Sequence, residues 1–201
     1  PPLVQHVERG ERLAAQGQLG PAIEAFEKAR AAGAGSAAFL NRLGGLYLEA
    51  ERFEAAAAAF RESLKERPDQ LQVYARLGEA YLAAGKLDSA IHFVAQARAL
   101  APASSAVHSS LAFLLLQRQP ADLPLARAHL DTALQLDPAN AEAHRYLGFY
   151  YTRTDSLRQA IAAYRRVSEL DPDNVEALNN LGYLHLEQKD YAGALGYYEQ
   201  A

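Results

Sequence analysis

Few side chains in this 201-residue sequence could do chemistry. They are four of the six histidines (His6, His108, His144 and His185), the GAGS stretch from Gly33 to Ser36, and the acidic segments Asp137-Pro138 and Asp171-Pro172-Asp173-Asn174. Imidazoles can ligate a metal, but a site needs three or four converging donors, and no pair stands in the His-x-x-x-His spacing of one helix face. GAGS could pass for a phosphate loop, yet it follows helical sequence rather than a strand, so it marks a turn. The acidic segments read as turn chemistry rather than calcium ligands, and no Ser/His/Asp constellation stands out. The absence of cysteine removes disulfides, cysteine-ligated zinc and thiol catalysis. The expectation is a protein that is not an enzyme, with no cofactor and no metal.

Composition narrows the partners. The formal net charge is −4, with acidic and basic residues interspersed, and no basic stripe points to nucleic acid. No apolar run approaches the ~18 residues of a membrane span. A soluble chain is expected, cytoplasmic or periplasmic, with nothing to choose between the two. The sequence begins Pro1-Pro2 without methionine, which suggests a processed product or an excised fragment. Abundant alanine favours helix, and arginine in preference to lysine is associated with GC-rich bacterial genomes.

What must position any functional side chain is a unit that recurs. Glycines in similar contexts (LGGLY, LGEAY, LGFYY, LGYLH) are Gly44, Gly78, Gly148 and Gly182, spaced by 34, 70 and 34 residues, with Gly10 a weaker copy. An alanine follows each glycine by twelve residues: Ala22, Ala56, Ala90, Ala160 and Ala194. Four further on stand Phe26, Phe60, Val94, Tyr164 and Tyr198, and Pro68, Pro102, Pro138 and Pro172 close four units. One copy has Ala112 at the glycine position and a two-residue insertion in QRQPADLP. The units are 3–36, 37–70, 71–104, 105–140 (with the insertion), 141–174 and 175–201, the last incomplete, forming one array over 1–201.

Each unit reads as two helices. Positions four, seven, eight and eleven, such as Tyr74, Leu77, Gly78 and Tyr81, share one face of the first. The glycine sacrifices roughly 1 kcal/mol of helix propensity and lets the partner helix approach closely. Gly17 and Gly85 read as stop signals for first helices, Asp88 and Asp122 as start signals for second ones, and the prolines as the ends of second helices. Tyr47, Tyr74, Tyr81, Tyr151 and Tyr164 fall on packing positions.

This pattern resembles the tetratricopeptide repeat family along essentially the whole chain. The resemblance implies an all-α fold, a right-handed α-solenoid superhelix of stacked antiparallel helix pairs. It also implies that a stripe of first-helix positions lines a concave groove where peptides bind. The ninth position of the six units reads Glu11, Gly45, Glu79, Phe113, Phe149 and Tyr183, so the last three are aromatic. Tyr146, Leu116 and Leu186 are expected on the same part of the surface, with Arg145, Arg153, Asn179 and Asn180 as polar neighbours, and Arg42 and Arg76 share the sixth position earlier on. Aromatic side chains anchor recognition well because they carry large apolar area with little rotamer entropy. Two outcomes remain open for Phe113, Phe149 and Tyr183: an apolar floor for a peptide, or packing against the neighbouring first helix. The lysine–asparagine pair with which some relatives hold C-terminal carboxylates of chaperone peptides is missing; Val7 and Glu11, then Asn41 and Gly45, stand there instead.

The expected function is therefore a non-enzymatic protein–protein interaction scaffold binding a peptide or partner segment. Alternatives are the recognition arm of a larger enzyme that continues after residue 201, as in glycosyltransferases with such repeats, and a self-associating module. The sixth unit, ending within its second helix, or the apolar FLLL of the fourth unit (Phe113 to Leu116), is the expected place for homo-oligomer contact. RNA binding by helical repeats is a more distant option, disfavoured by the acidic balance.

Overall fold

The computed structural model describes residues 2–201. Among them the chain forms twelve α-helices and no strand. The helices are α1 (Pro2–Ala15), α2 (Leu19–Ala31), α3 (Ala37–Glu49), α4 (Phe53–Glu66), α5 (Leu71–Ala83) and α6 (Leu87–Leu100). There follow α7 (Ser105–Gln117), α8 (Leu123–Leu136), α9 (Ala141–Arg153), α10 (Leu157–Leu170), α11 (Val175–Glu187) and α12 (Tyr191–Gln200). Odd and even helices pair as hairpins, and the chain divides into two compact units, residues 1–100 and 101–201.

The hairpin turns follow one recipe. Gly17, Glu51, Gly85, Asp155 and Lys189 take positive φ between the helices of their pairs. The following residue then donates its N–H back into the first helix, as Arg52 does to the Tyr47 carbonyl at 2.8 Å and Lys86 to Tyr81 at 2.8 Å. The left-handed residue closes the helix end by satisfying carbonyls that would otherwise lack partners. Gly17 and Gly85 do what their sequence signal suggests; Glu51, Asp155 and Lys189 do the same without that signal. The α7–α8 connection is longer by the two inserted residues and lacks the left-handed residue. Pro68, Pro102, Pro138 and Pro172 each follow the end of a second helix, while the first unit, with Ala34 instead, turns at Gly33 (φ +101°).

In residues 1–100, α2 packs on α3 and α4 on α5, around a core that includes Phe26, Leu43, Leu46, Phe60 and Leu77. In residues 101–201, α9 packs on both α7 and α8, and α11 on α10; Ala160, Tyr164, Val167, Leu181 and Leu184 form one core cluster there. The glycine positions explain the close pairing. A Cβ on Gly148 would lie 2.7 Å from the Tyr164 ring, and one on Gly44 2.6 Å from the Phe60 ring. Tyr47 and Tyr164 are buried and Tyr74, Tyr81 and Tyr151 half-buried against the cores, so these tyrosines pack as their positions suggest. Burial pushes the Tyr164 hydroxyl up to about 12; burial, with a hydrogen bond to Glu27, does the same to Tyr47.

Candidate functional site

The first helices of residues 101–201 carry a cluster built from the repeat register. Phe113 on α7 and Tyr146 on α9 stack with ring centroids 4.8 Å apart, an arrangement worth about 0.5–1.5 kcal/mol beyond the area it buries. Arg145 lies with its guanidinium 4.4 Å from the Tyr146 ring centre and donates from one nitrogen to both carboxylate oxygens of Glu176 on α11 at 3.1 Å. A weaker pair with Glu142, at 3.5 Å, completes its surroundings. Phe149, one turn along α9, has Arg153 5.9 Å from its ring centre, and Arg153 donates to the Leu116 carbonyl. Phe113, Gln117, Arg145, Tyr146, Phe149 and Glu176 line one cavity of about 120 Å³.

Electrostatics keep this cluster in one charge state. Burial alone would lower the Arg145 pKa, but Tyr146, Glu176 and Glu142 outweigh it and leave it raised. Burial also raises the Tyr146 hydroxyl. The cation and the neutral phenol are thus fixed at any physiological pH, and neither group is suited to proton transfer.

The residues expected in the groove divide into several groups. Phe113, Tyr146, Phe149 and Arg145 come together around the cavity, with Arg153 against Phe149. Leu116 does not belong to the surface: it is fully buried, because its helix face is covered in the interior of the unit. Asn180 turns its amide back to the Glu176 carbonyl at 2.9 Å, whereas Asn179 is exposed. Tyr183 and Leu186 are exposed, at 48 % and 43 %, and lie outside the cavity. In residues 1–100, Arg42 is held by Glu11 through three donor contacts of 2.8–3.1 Å, and that bond raises its pKa. Arg76 is exposed and passes close to Gly45, whose missing side chain makes room for it. Arg42, Arg145 and Arg153 are therefore engaged within the chain.

Sequence reasoning missed the partners. Glu176 belongs to a different unit from Arg145, and Glu11 from Arg42; only the spacing of 31 residues in both pairs hints at a ladder between adjacent first helices. It also missed a buried histidine pair. His108 Nδ1 lies 3.0 Å from His129 Nδ1, and His108 Nε2 lies 3.0 Å from the Pro102 carbonyl. The carbonyl can only accept, so His108 Nε2 carries a hydrogen and, in the neutral ring, Nδ1 accepts from His129. His185 donates through Nδ1 to Asp190 at 2.8 Å. Asp190 also caps α12 through the Gly193 N–H, and the two bonds, the Gly193 one foremost, hold its carboxyl below the usual range. Both histidine arrangements are structural. Among the described residues no group of three or more His, Cys, Asp or Glu is placed to hold a metal ion, and no helix is long and apolar enough to cross a membrane.

Two family models match the sequence. One is described as the cytochrome c-type biogenesis protein H TPR domain and covers residues 41–170; the other, tetratricopeptide repeat, covers 7–70 and 150–201. Similar solved structures include a tetratricopeptide repeat protein from Parabacteroides merdae, with TM-score 0.83 and 14% identity over 99% of this chain and 78% of that one. MamA from Desulfovibrio magneticus has TM-score 0.68 and 20% identity, over 82% of this chain and 92% of its own. YrrB, described as a TPR protein with an unusual peptide-binding site, has TM-score 0.60 and 21% identity, over 89% and 91%. At these identities the likeness is one of fold. No curated protein matches the chain significantly.

Proposed function

Because the chain belongs to the tetratricopeptide repeat family, we propose that it is a non-enzymatic interaction scaffold that seats a peptide segment on the first helices of residues 101–201. The observation that carries this is the cavity between Phe113, Tyr146 and Phe149, floored by stacked rings and rimmed by Gln117, Arg145 and Glu176. At about 120 Å³ it is smaller than the roughly 300 Å³ or more of small-molecule sites. It suits one apolar side chain of a longer segment, whose backbone would bond to the Gln117 amide and the Arg145–Glu176 pair.

The ion pair also sets the peptide's chemistry. An acidic side chain would have to displace Glu176 from Arg145, so a neutral segment with an apolar anchor is the better fit. A peptide site on repeats of this fold has a precedent in the description of YrrB.

Peptides selected from a random display library on the intact chain provide the test, with affinities followed by fluorescence anisotropy. Replacing Phe149, half-buried at the cavity mouth, by alanine should weaken the selected peptides at least tenfold while the far-ultraviolet circular dichroism stays unchanged. Equal binding to Phe149→Ala, or failure to select any peptide, would remove this reading. The triple substitution Phe113/Phe149/Tyr183→Ala separates the roles further: unchanged binding with lost stability would assign those rings to packing alone.

A further inference from the structure

Arg42 and Arg145 meet their carboxylates in different ways. Arg42 offers Glu11 a fork: Nε donates at 3.0 and 3.1 Å and Nη2 at 2.8 Å, so two nitrogens share the two oxygens. A planar contact through two nitrogens is the strong form of an arginine–carboxylate pair. Arg145 offers Glu176 one nitrogen. Its Nη1 serves both oxygens at 3.1 Å, and Nη2 reaches only Glu142 of its own helix, at 3.5 Å. The Arg145 side chain is 22 % exposed and lines the cavity, so it is occupied by Glu176 without being saturated.

This pair is not part of the repeating framework. Arg145 is the fifth residue of its unit and Glu176 the second of the next. The same two places hold Val7 and Ala38 between the first and second units, and Asn41 and Gln72 between the second and third. Those first helices stand side by side without a charge at either place. Only where the first helices carry the aromatic cavity do a cation and an anion face each other there.

Resting on the peptide site proposed above, we infer that Glu176 is the specificity-determining residue that sets the charge of the segment the cavity accepts. Its carboxylate lies against Arg145, where an acidic side chain of a partner would bind, and so acts as an internal occupant. A neutral segment leaves the pair intact. An acidic one has to displace Glu176 and then lies beside the carboxylate it displaced, a like-charge contact that costs affinity. Without the Glu176 carboxylate the preference turns round. Arg145 then keeps only the 3.5 Å contact with Glu142, and a largely desolvated cation short of an acceptor is costly. An acidic side chain beside the anchor relieves that cost. Arg153 also carries a charge near Phe149, but it donates to the neutral Leu116 carbonyl and is the same in every comparison.

Paired peptides test the inference by fluorescence anisotropy on the intact chain. A peptide selected on the wild-type chain is made in two versions, with Asn or Asp at one position within three residues of its apolar anchor, each position in turn. At the position nearest Arg145, the wild-type chain should bind the Asn version about fivefold more tightly or better. Glu176→Gln should invert that ratio in favour of Asp, and adding Arg145→Gln should abolish the preference for Asp. Because the ratio is taken within each protein, a general loosening of the site does not move it. Glu142→Gln, which removes a carboxylate of weaker contact, should change the ratio by less than about twofold. A wild-type preference for Asp, a ratio indifferent to Glu176→Gln at every position, or one moved equally by Glu142→Gln would each overturn the inference and leave the cavity as the peptide site. Failure of the wild-type chain to select any peptide would remove the site and the inference together.

Discussion

Gly148 has no side chain because the Tyr164 ring occupies the space that one would need. Alanine there would gain about 1 kcal/mol of helix propensity, but its Cβ would sit 2.7 Å from a ring that is only 3 % exposed. Overpacking of that kind costs about 1–3 kcal/mol, so Gly148→Ala is expected to lower the melting temperature, and Gly148→Ala with Tyr164→Leu to recover part of the loss. A melting temperature unchanged or raised by the single substitution would contradict the close approach. The glycine and its aromatic partner were legible in the sequence because both recur at the 34-residue period. Leu116 was misplaced for a related reason. A leucine at the twelfth position looks the same whether or not a neighbour covers it, and only packing separates buried Leu116 from exposed Leu186. Arg42 and Arg145 stand out in the sequence as polar residues of first helices but not as engaged ones, since each partner carboxylate comes from another helix pair.

Among the helices, the caps tie local sequence to packing. Ser36, Ser104, Asp122, Asn140, Asn174 and Asp190 each accept a backbone N–H in the first turn of the helix they precede. Asn140 does more than cap. Its Oδ1 accepts from Ala143 N–H at 2.9 Å while its Nδ2 donates to Ser105 Oγ at 2.6 Å, linking the start of α9 to the start of α7. Losing a cap costs about 0.5–2 kcal/mol, and leaving the Ser105 hydroxyl short of a donor adds to it. Asn140→Ala should therefore destabilise residues 101–201 by about 1–3 kcal/mol, measured by urea unfolding, whereas Ser36→Ala, a cap that bonds only Phe39 N–H, should cost about 1 kcal/mol. Equal losses would deny Asn140 its second role. Asp122 caps α8 as its position suggests, whereas Asp88 falls inside the first turn of α6 rather than before it; helix ends were readable from Gly17, Gly85 and the prolines. The left-handed turns at Glu51, Asp155 and Lys189 were not, because their conformation follows from the closure of the hairpin rather than from the residue type.

For the molecule as a whole, each of the two compact units has its own chemistry. In residues 1–100, Arg9 and Arg12 are exposed at the places that leucine or alanine holds in α3 and α5, and in residues 101–201 the first helices hold the aromatic cavity. The fold was readable from the sequence because one pattern was written several times, each copy correcting the others. The cavity was only half readable, since Phe113, Tyr146 and Phe149 announce themselves while Gln117 and Glu176 matter by position alone.

The Arg42–Glu11 and Arg145–Glu176 pairs, each spanning 31 residues, also bear on how such repeats can change: a charge lost from one repeat strands its partner in the next, so the two positions of a pair are expected to change together.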